Sequence, residues 1–455
     1  MAIVPLGSEE FDRDPTTVVT MPSKQNHRNK RVQRAAQIVM KFLFGQGATQ
    51  SLTILANLFL VRTLSIEAYA QFGLAYGFQS VFSVLMDLGF ASTIVPMVGP
   101  DRDDAALVGR YVRSARHLRN KLFWWLSPVA TVAFAAIMHK HHWSMKVQIL
   151  LLLSVLVGLY SAGKVSYFSA PLFVFGKLRE YYLPQAVTGA GRLLMYIALF
   201  FAGGLSAWTA AGLSALVVTF NGFLIHKSSA KYFQWPDRED PETDRELIRY
   251  ILPASPAIIF AAFQSQISLF LISIFGGTAY IAQVAALSRI AQIFTVLSMF
   301  FTIVVEPHVA RVDRFHLRRT FLLFIALTSV ACVPLVVIAF VWPKLYLWVL
   351  GAKYQDLASV MGIYVLSLCM NSVSGLMWIM NRSRKWVFWS GSIVEIVLLL
   401  GVQCLFLIFV GVNNTHEAVI FNLASSFCYL LAHGYVTVYG FNYAKNAPAE
   451  SSAAE

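Results

Sequence analysis

Apolar residues run along this chain in long, nearly unbroken stretches, each closed by a short polar or basic loop. A helix needs about 20 mostly apolar residues to cross a hydrocarbon core about 30 Å thick. Stretches of that length recur twelve times, at 38–61, 68–97, 121–140, 147–171, 181–203, 205–226, 248–275, 279–308, 319–342, 356–380, 386–410 and 416–441. Gly203 and Gly204 mark the soft boundary between the fifth and sixth. The pattern predicts an all-α polytopic membrane protein with about twelve transmembrane helices.

Composition agrees. Of 455 residues, 57% are hydrophobic and 13% charged, with a mean hydropathy of +0.61, where a soluble protein has about 25% charged residues. That excludes an ordinary soluble enzyme or binding domain. A formal charge of +13 suggests nucleic acid only when the bases form a soluble, aromatic-interleaved patch, and these lie in loops instead. Bases at 13–41, 102–121, 177–179, 227–249, 311–319, 382–385 and 445 fall on one side of the alternating spans; the other side receives Arg62, Lys140, Lys146, Lys344 and Lys353. Positive loops stay in the cytoplasm, so both termini are expected there and the span count is even. Trp124, Trp125, Trp208, Trp342, Trp348, Trp386 and Trp389 lie near span ends, where indole rings favour the headgroup zone. About 35 polar residues precede the first apolar run, which is too late for a cleaved signal peptide. Cys332, Cys369, Cys404 and Cys428 all lie inside apolar stretches and are read as small core hydrophobes.

The strongly hydrophilic stretch HKSSAKYFQWPDREDPETDREL lies near mid-chain. It divides the chain into a basic tail (1–37), an N-terminal six-helix bundle (38–226), a linker (227–247), a C-terminal six-helix bundle (248–441) and a short tail (442–455). A shift of 211 residues places Leu58-Phe59-Leu60 on Leu269-Phe270-Leu271, Ala68-Tyr69 on Ala279-Tyr280, Ala75 on Ala286 and Pro96 on Pro307. Two pseudo-symmetric halves around a central site are a common plan for transporters.

Charges inside the membrane carry the functional signal, because each costs about 2.5–3.5 kcal/mol at mid-helix on insertion scales. Lys164, Arg192 and Arg289 lie mid-span, as do Asp87 and Glu395, with Glu306 near the end of its span beside Pro307 and His308. One reading makes them buried ion pairs, such as Arg289 with Glu395 or Lys164 with Asp87. The favoured reading is a wet, net cationic cavity for an anionic substrate, with Asp87, Glu395 or Glu306 binding a proton or sodium ion, because three central bases outnumber two central acids. Pro128, Pro171, Pro184, Pro253, Pro256 and Pro334 lie within or at the ends of spans and favour bent helices. His139, His141 and His142 lack nearby acids or cysteines and are read as a solvated loop rather than a metal site. No phosphate-binding loop, serine elbow, zinc-protease or dinucleotide motif occurs. Carrying is therefore expected rather than catalysis, with no cofactor and no metal.

The segment 45–99 carries Gly45-Gln46, the turn Arg62, Leu64, Ser65, Glu67 and Tyr69, and the triplet Asp87-Leu88-Gly89. It resembles the opening hairpin of Wzx-like lipid-linked oligosaccharide and polysaccharide flippases, whose superfamily also holds multidrug extruders and lipid II flippases. YILPASPAIIF (250–260), AYIAQVAALSRIAQIF with Arg289, then Pro307 and Arg311 open the second half in the same style. The resemblance implies two six-helix bundles around a cavity open alternately to each side of the bacterial inner membrane. It also implies a polyprenyl-diphosphate-linked oligosaccharide as substrate, coupling to an ion or the membrane potential, and work alongside other polysaccharide-assembly proteins. Arg289 falls where the family pattern has a base, whereas Lys164 and Arg192 rest on depth alone. Ser268 stands where the family commonly has an Asp. The competing readings are a cation-coupled multidrug exporter, which calls for an acid-rich cavity, and a membrane glycan polymerase or ligase, which calls for a larger external loop.

Overall fold

The computed structural model describes residues 45–98, 104–236, 240–252, 255–384, 386 and 388–446. The N-terminal tail, the start of the first stretch, Arg102, Arg238, Pro253, Lys385 and the chain beyond 446 lie outside them. The described residues are all-α. Helices run as α1 (45–63), α2 (Ile66–Asp87), α3 (Phe90–Val98), α4 (Ala105–Lys140), α5 (Met145–Val174), α6 (Leu178–Phe201) and α7 (Ala207–Ser229). They continue as α8 (Pro241–Ile251), α9 (Ser255–Gln264), α10 (Ile267–Phe275), α11 (Thr278–Phe300), α12 (Glu306–Arg311), α13 (Arg314–Val341), α14 (Pro343–Leu350), α15 (Ala358–Ser383), α16 (Trp389–Phe409) and α17 (Thr415–Asn446).

Among the described residues nine helical segments are long and apolar enough to cross a membrane, and α9 with α10, bent by 54° at Ser265-Gln266, makes a tenth. The remaining two of twelve are α1 and the α11–α12 run. They are comparably long but carry Gln46, Gln50 and Asn57, and Gln283, Arg289 and Gln292. Their polarity has a structural reason: Gln50 donates to Thr295 Oγ1 at 3.1 Å and Asn57 to Gln292 Oε1 at 3.1 Å, so each helix satisfies the other across the two halves. The seventh span starts at Ser255 rather than 248, because residues to Ile251 belong to the separate helix α8, opened by Asp240 and Pro241. The expected 343–355 loop is also helical, as α14 followed by a 3₁₀ turn.

Two bundles result. In the first, α5 packs on α7, α4 and α2; in the second, α15 packs on α17, α13 and α11. They meet where α2 lies against α9, α10 and α11. The crossing of α2 and α11 is close because Gly73 faces Ala285, and a Cβ on Gly73 would sit 2.5 Å from that methyl. We predict that Gly73→Leu wedges the bundles apart and lowers stability by about 1–3 kcal/mol, read as a lowered melting temperature in detergent; Gly191→Ala, whose Cβ meets open space, should not. Both crossing helices change course near their basic-loop ends: α2 ends at Leu88 and Gly89, with φ of 42° and 89°, and α11 passes into a π-helical turn at Phe301–Val305. Such breaks free backbone groups and mark places where a helix can flex.

Candidate functional site

The ends of the bundles carrying the basic loops are called the basic end below, and the others the far end. At about 1.5 Å rise per residue, Arg289 lies roughly 17 Å in from the far end of α11 and Arg192 roughly 14 Å in from the far end of α6. Both are near mid-span. Arg289 is only 1% exposed. Its Nε donates to Tyr69 Oη at 2.8 Å, and its guanidinium lies 4.6 Å from the centre of the Tyr76 ring. Both tyrosines are on α2, so a base of the second bundle is held by hydroxyl and ring of the first. Tyr196 lies within electrostatic range of both Arg192 and Arg289, and its own hydroxyl is tied to Ser214 Oγ at 2.5 Å and the Ala210 carbonyl at 3.2 Å.

Neither arginine has an acidic partner among the described residues. Nη1 of Arg289 and Nε of Arg192 are buried without a hydrogen-bond acceptor, and leaving a buried donor unsatisfied costs about 1–3 kcal/mol, more when it is charged. Lys164 does not join them. It stands on α5 with its Nζ 4.9 Å from the Tyr160 ring, and its Cβ packs near Gly222 of α7.

The acids lie beside bases, though not beside the ones named in the ion-pair reading of the sequence. Arg289 does not pair with Glu395, nor Lys164 with Asp87. Asp87 accepts from Ser166 Oγ at 3.0 Å and lies 3.9 Å from Nε of Arg119, which is 1% exposed and donates through Nη2 to the Leu159 carbonyl at 2.7 Å. The sequence pattern puts Arg119 in a basic loop. The structure buries it because α4 starts at Ala105, capped by Asp104, well before its apolar stretch. Gly163 makes the room, since a Cβ there would overlap the guanidinium. Glu306 forms a bidentate pair with Arg382, with Nη2 at 2.8 and 3.0 Å and Nε at 3.2 Å. Glu395 lies 3.6 Å from Nε2 of His433. A cavity of about 150 Å³ at the α9–α10 bend is lined by Gln264, Ser268, Asn371 and Asn422 among others, without a carboxylate. Cys332, Cys369 and Cys428 are buried, whereas Cys404 is on the outer face of α16.

The far-end bases knit the halves together. Arg62 donates to the carbonyls of Trp348 and Val349, Lys353 to that of Leu64 and Lys140 to that of Ile274. His141, read from sequence as solvated loop, instead contacts the Ser273 carbonyl at 2.9 Å and Thr278 Oγ1 at 3.2 Å. We predict that Arg62→Ala with Lys353→Ala loosens this closure, read as faster thiol labelling of a cysteine placed at Gly351. Unchanged labelling would show that the carbonyl contacts do not hold the far end shut.

Sequence reasoning missed Arg119, His433 and the tyrosine partners of Arg289. For His433 the signal was present: LLAHGY places an imidazole inside an apolar run.

No family model matches the chain, and no curated protein matches it. Solved structures do. An inward-facing multidrug resistance MATE family transporter of the MOP superfamily is similar with a TM-score of 0.65 at 15% identity, over 88% of this chain and 96% of that one. The lipid II flippase MurJ, in an inward closed conformation, gives 0.64 at 14% identity over 88% and 87%. A MATE in complex with MaD3S gives 0.60 at 15% over 91% and 96%. The fold is therefore the one shared by MATE transporters and MurJ, and the two-bundle plan expected from the sequence is the one observed.

Proposed function

We propose that the protein is a flippase for a polyprenyl-diphosphate-linked oligosaccharide, moving it across the bacterial inner membrane by alternating access for surface polysaccharide assembly. The observation that carries this reading is the pair of acid-free arginines at mid-depth, Arg289 and Arg192, one from each bundle, with unfilled N–H donors. A diphosphate needs permanent, planar, multidentate donors in a low-dielectric site, and guanidinium supplies them. Bases contributed by both halves also give a reason for the ligand to move the halves: a group that binds between two bodies biases whichever arrangement completes its contacts. Lys164 would act as a waypoint on the basic side, and the excess of bases at that end supports its lying in the cytoplasm. The similarity to MurJ, a lipid II flippase, is compatible with a lipid cargo. The similarity to MATE proteins keeps a multidrug exporter as the competing outcome.

The deciding experiment is reconstitution in liposomes with a fluorescent polyprenyl-diphosphate oligosaccharide. Transbilayer movement that depends on the protein, and fails with Arg289→Ala, supports the reading. Binding and efflux of a cationic dye with no lipid movement would overturn it in favour of drug export.

A further inference from the structure

Of the three acids assigned to ion coupling from the sequence, Asp87 and Glu306 are committed to arginines. Glu395 faces an imidazole instead. Glu395 lies roughly 9 Å in from the basic end of α16 at about 1.5 Å per residue, and its side chain is 25% exposed. His433, on α17, is buried. Its Nδ1 lies 2.7 Å from Ser374 Oγ and 3.1 Å from the Ser374 carbonyl, so that nitrogen is held by α15. Nε2 is left to face Glu395. The ring stacks against Trp378 at 5.4 Å between centroids and lies 6.1 Å from Tyr429. Asn381 Nδ2 donates to the His433 carbonyl at 3.2 Å, and Thr437 Oγ1 donates to Asn381 Oδ1 at 3.1 Å, fixing the register of α15 and α17.

We propose that Glu395 and His433 form a proton-binding dyad in the second bundle and that the ion coupled to transport is a proton bound there. This rests on the reading of the protein as a transporter, but on no part of the cargo assignment. The charge states give the reason. With one proton on either member, the pair is neutral overall, whether as carboxylic acid and imidazole or as carboxylate and imidazolium, and a neutral unit can be sealed from water at little cost. Removing that proton leaves a lone carboxylate, which low dielectric disfavours strongly, so release requires water to reach Glu395. Occlusion of the bundle is thereby linked to proton occupancy. Aromatic faces on the ring favour the imidazolium form when it arises. Among the described residues the groups facing the pair do not supply a competing charge: α15 presents Ser374, Trp378 and Asn381, α17 presents Tyr429, and the Glu306–Arg382 pair beyond Asn381 is neutral as a unit. One proton donor and one acceptor nitrogen do not make the multi-oxygen shell sodium prefers.

The test has two readouts. In ¹⁵N-histidine-labelled protein in nanodiscs, the imidazole resonance that vanishes in His433→Gln should move in Glu395→Gln, because the carboxylate faces Nε2 of that ring. In proteoliposomes, uptake driven by an imposed pH gradient should fall to the leak level in Glu395→Gln and His433→Gln, and an imposed sodium gradient should drive none. Both variants should retain cargo lipid binding, which Arg289→Ala loses. A His433 resonance indifferent to Glu395→Gln, or pH-driven uptake surviving in both variants, overturns the proposal. If the resonance depends on Glu395 while no lipid binds, the dyad stands and the cargo assignment falls.

Discussion

Arginine-to-alanine substitution at position 289 is expected to weaken binding of a diphosphate lipid by about 2–5 kcal/mol, roughly 30- to 4,000-fold, while the protein still inserts and folds. The expectation follows from what surrounds the side chain. Tyr69 supplies one hydrogen bond and Tyr76 one ring face, so truncation leaves two hydroxyl-bearing rings behind rather than an uncompensated charge. Stability therefore falls modestly and the anion loses its strongest donor. Arg289→Lys should recover part of the affinity, since it restores the charge without the planar fork. Because Arg192 lies at a similar depth in the opposite bundle with its own unfilled donor, the double variant tests whether both touch one ligand: a coupling energy well above about 0.5 kcal/mol in the cycle marks a shared site. Scintillation proximity binding in nanodiscs measures all four. Equal affinity in the wild type and Arg289→Ala would remove the chemical basis for a phosphate-bearing cargo.

The layout was legible because the bilayer imposes a length on every span, and length survives in sequence as runs of apolar residues. The pairing of charges was not. Arg119 reads as one base in a basic cluster because nothing local reports that α4 begins at Ala105 and carries it deep; only the Asp104 cap hints at the early start. Glu306 reads as a lone intramembrane acid because its partner Arg382 lies 76 positions away. Arg289 was found by its depth and by the base the resembled family has there, yet its tyrosine partners on α2 appear only once the halves are packed, through a crossing that depends on Gly73 having no side chain. The repeat predicts that α2 and α11 are related; it does not predict that they touch. Intramembrane charge is visible one residue at a time, whereas its function depends on which helix faces it.

Asp87 carries the other large expected effect, and the expectation concerns stability. Asp87→Asn removes the only carboxylate near the buried Arg119 guanidinium among the described residues, whose Nε and Nη1 have no other partner. An unbalanced buried charge of this kind costs about 3–5 kcal/mol, so the variant should melt far below the wild type in detergent. The decisive comparison is Asp87→Leu combined with Arg119→Met. Replacing both members by apolar groups removes the desolvation cost along with the attraction, and such exchanges range from neutral to stabilising. The double variant should therefore melt close to the wild type, far above Asp87→Asn. If it also transports under a pH gradient, Asp87 is a structural anchor for the break at Leu88-Gly89, and ion coupling belongs elsewhere. A wild-type melt for Asp87→Asn together with lost ion-driven uptake would reverse the assignment and make Asp87 the coupling acid.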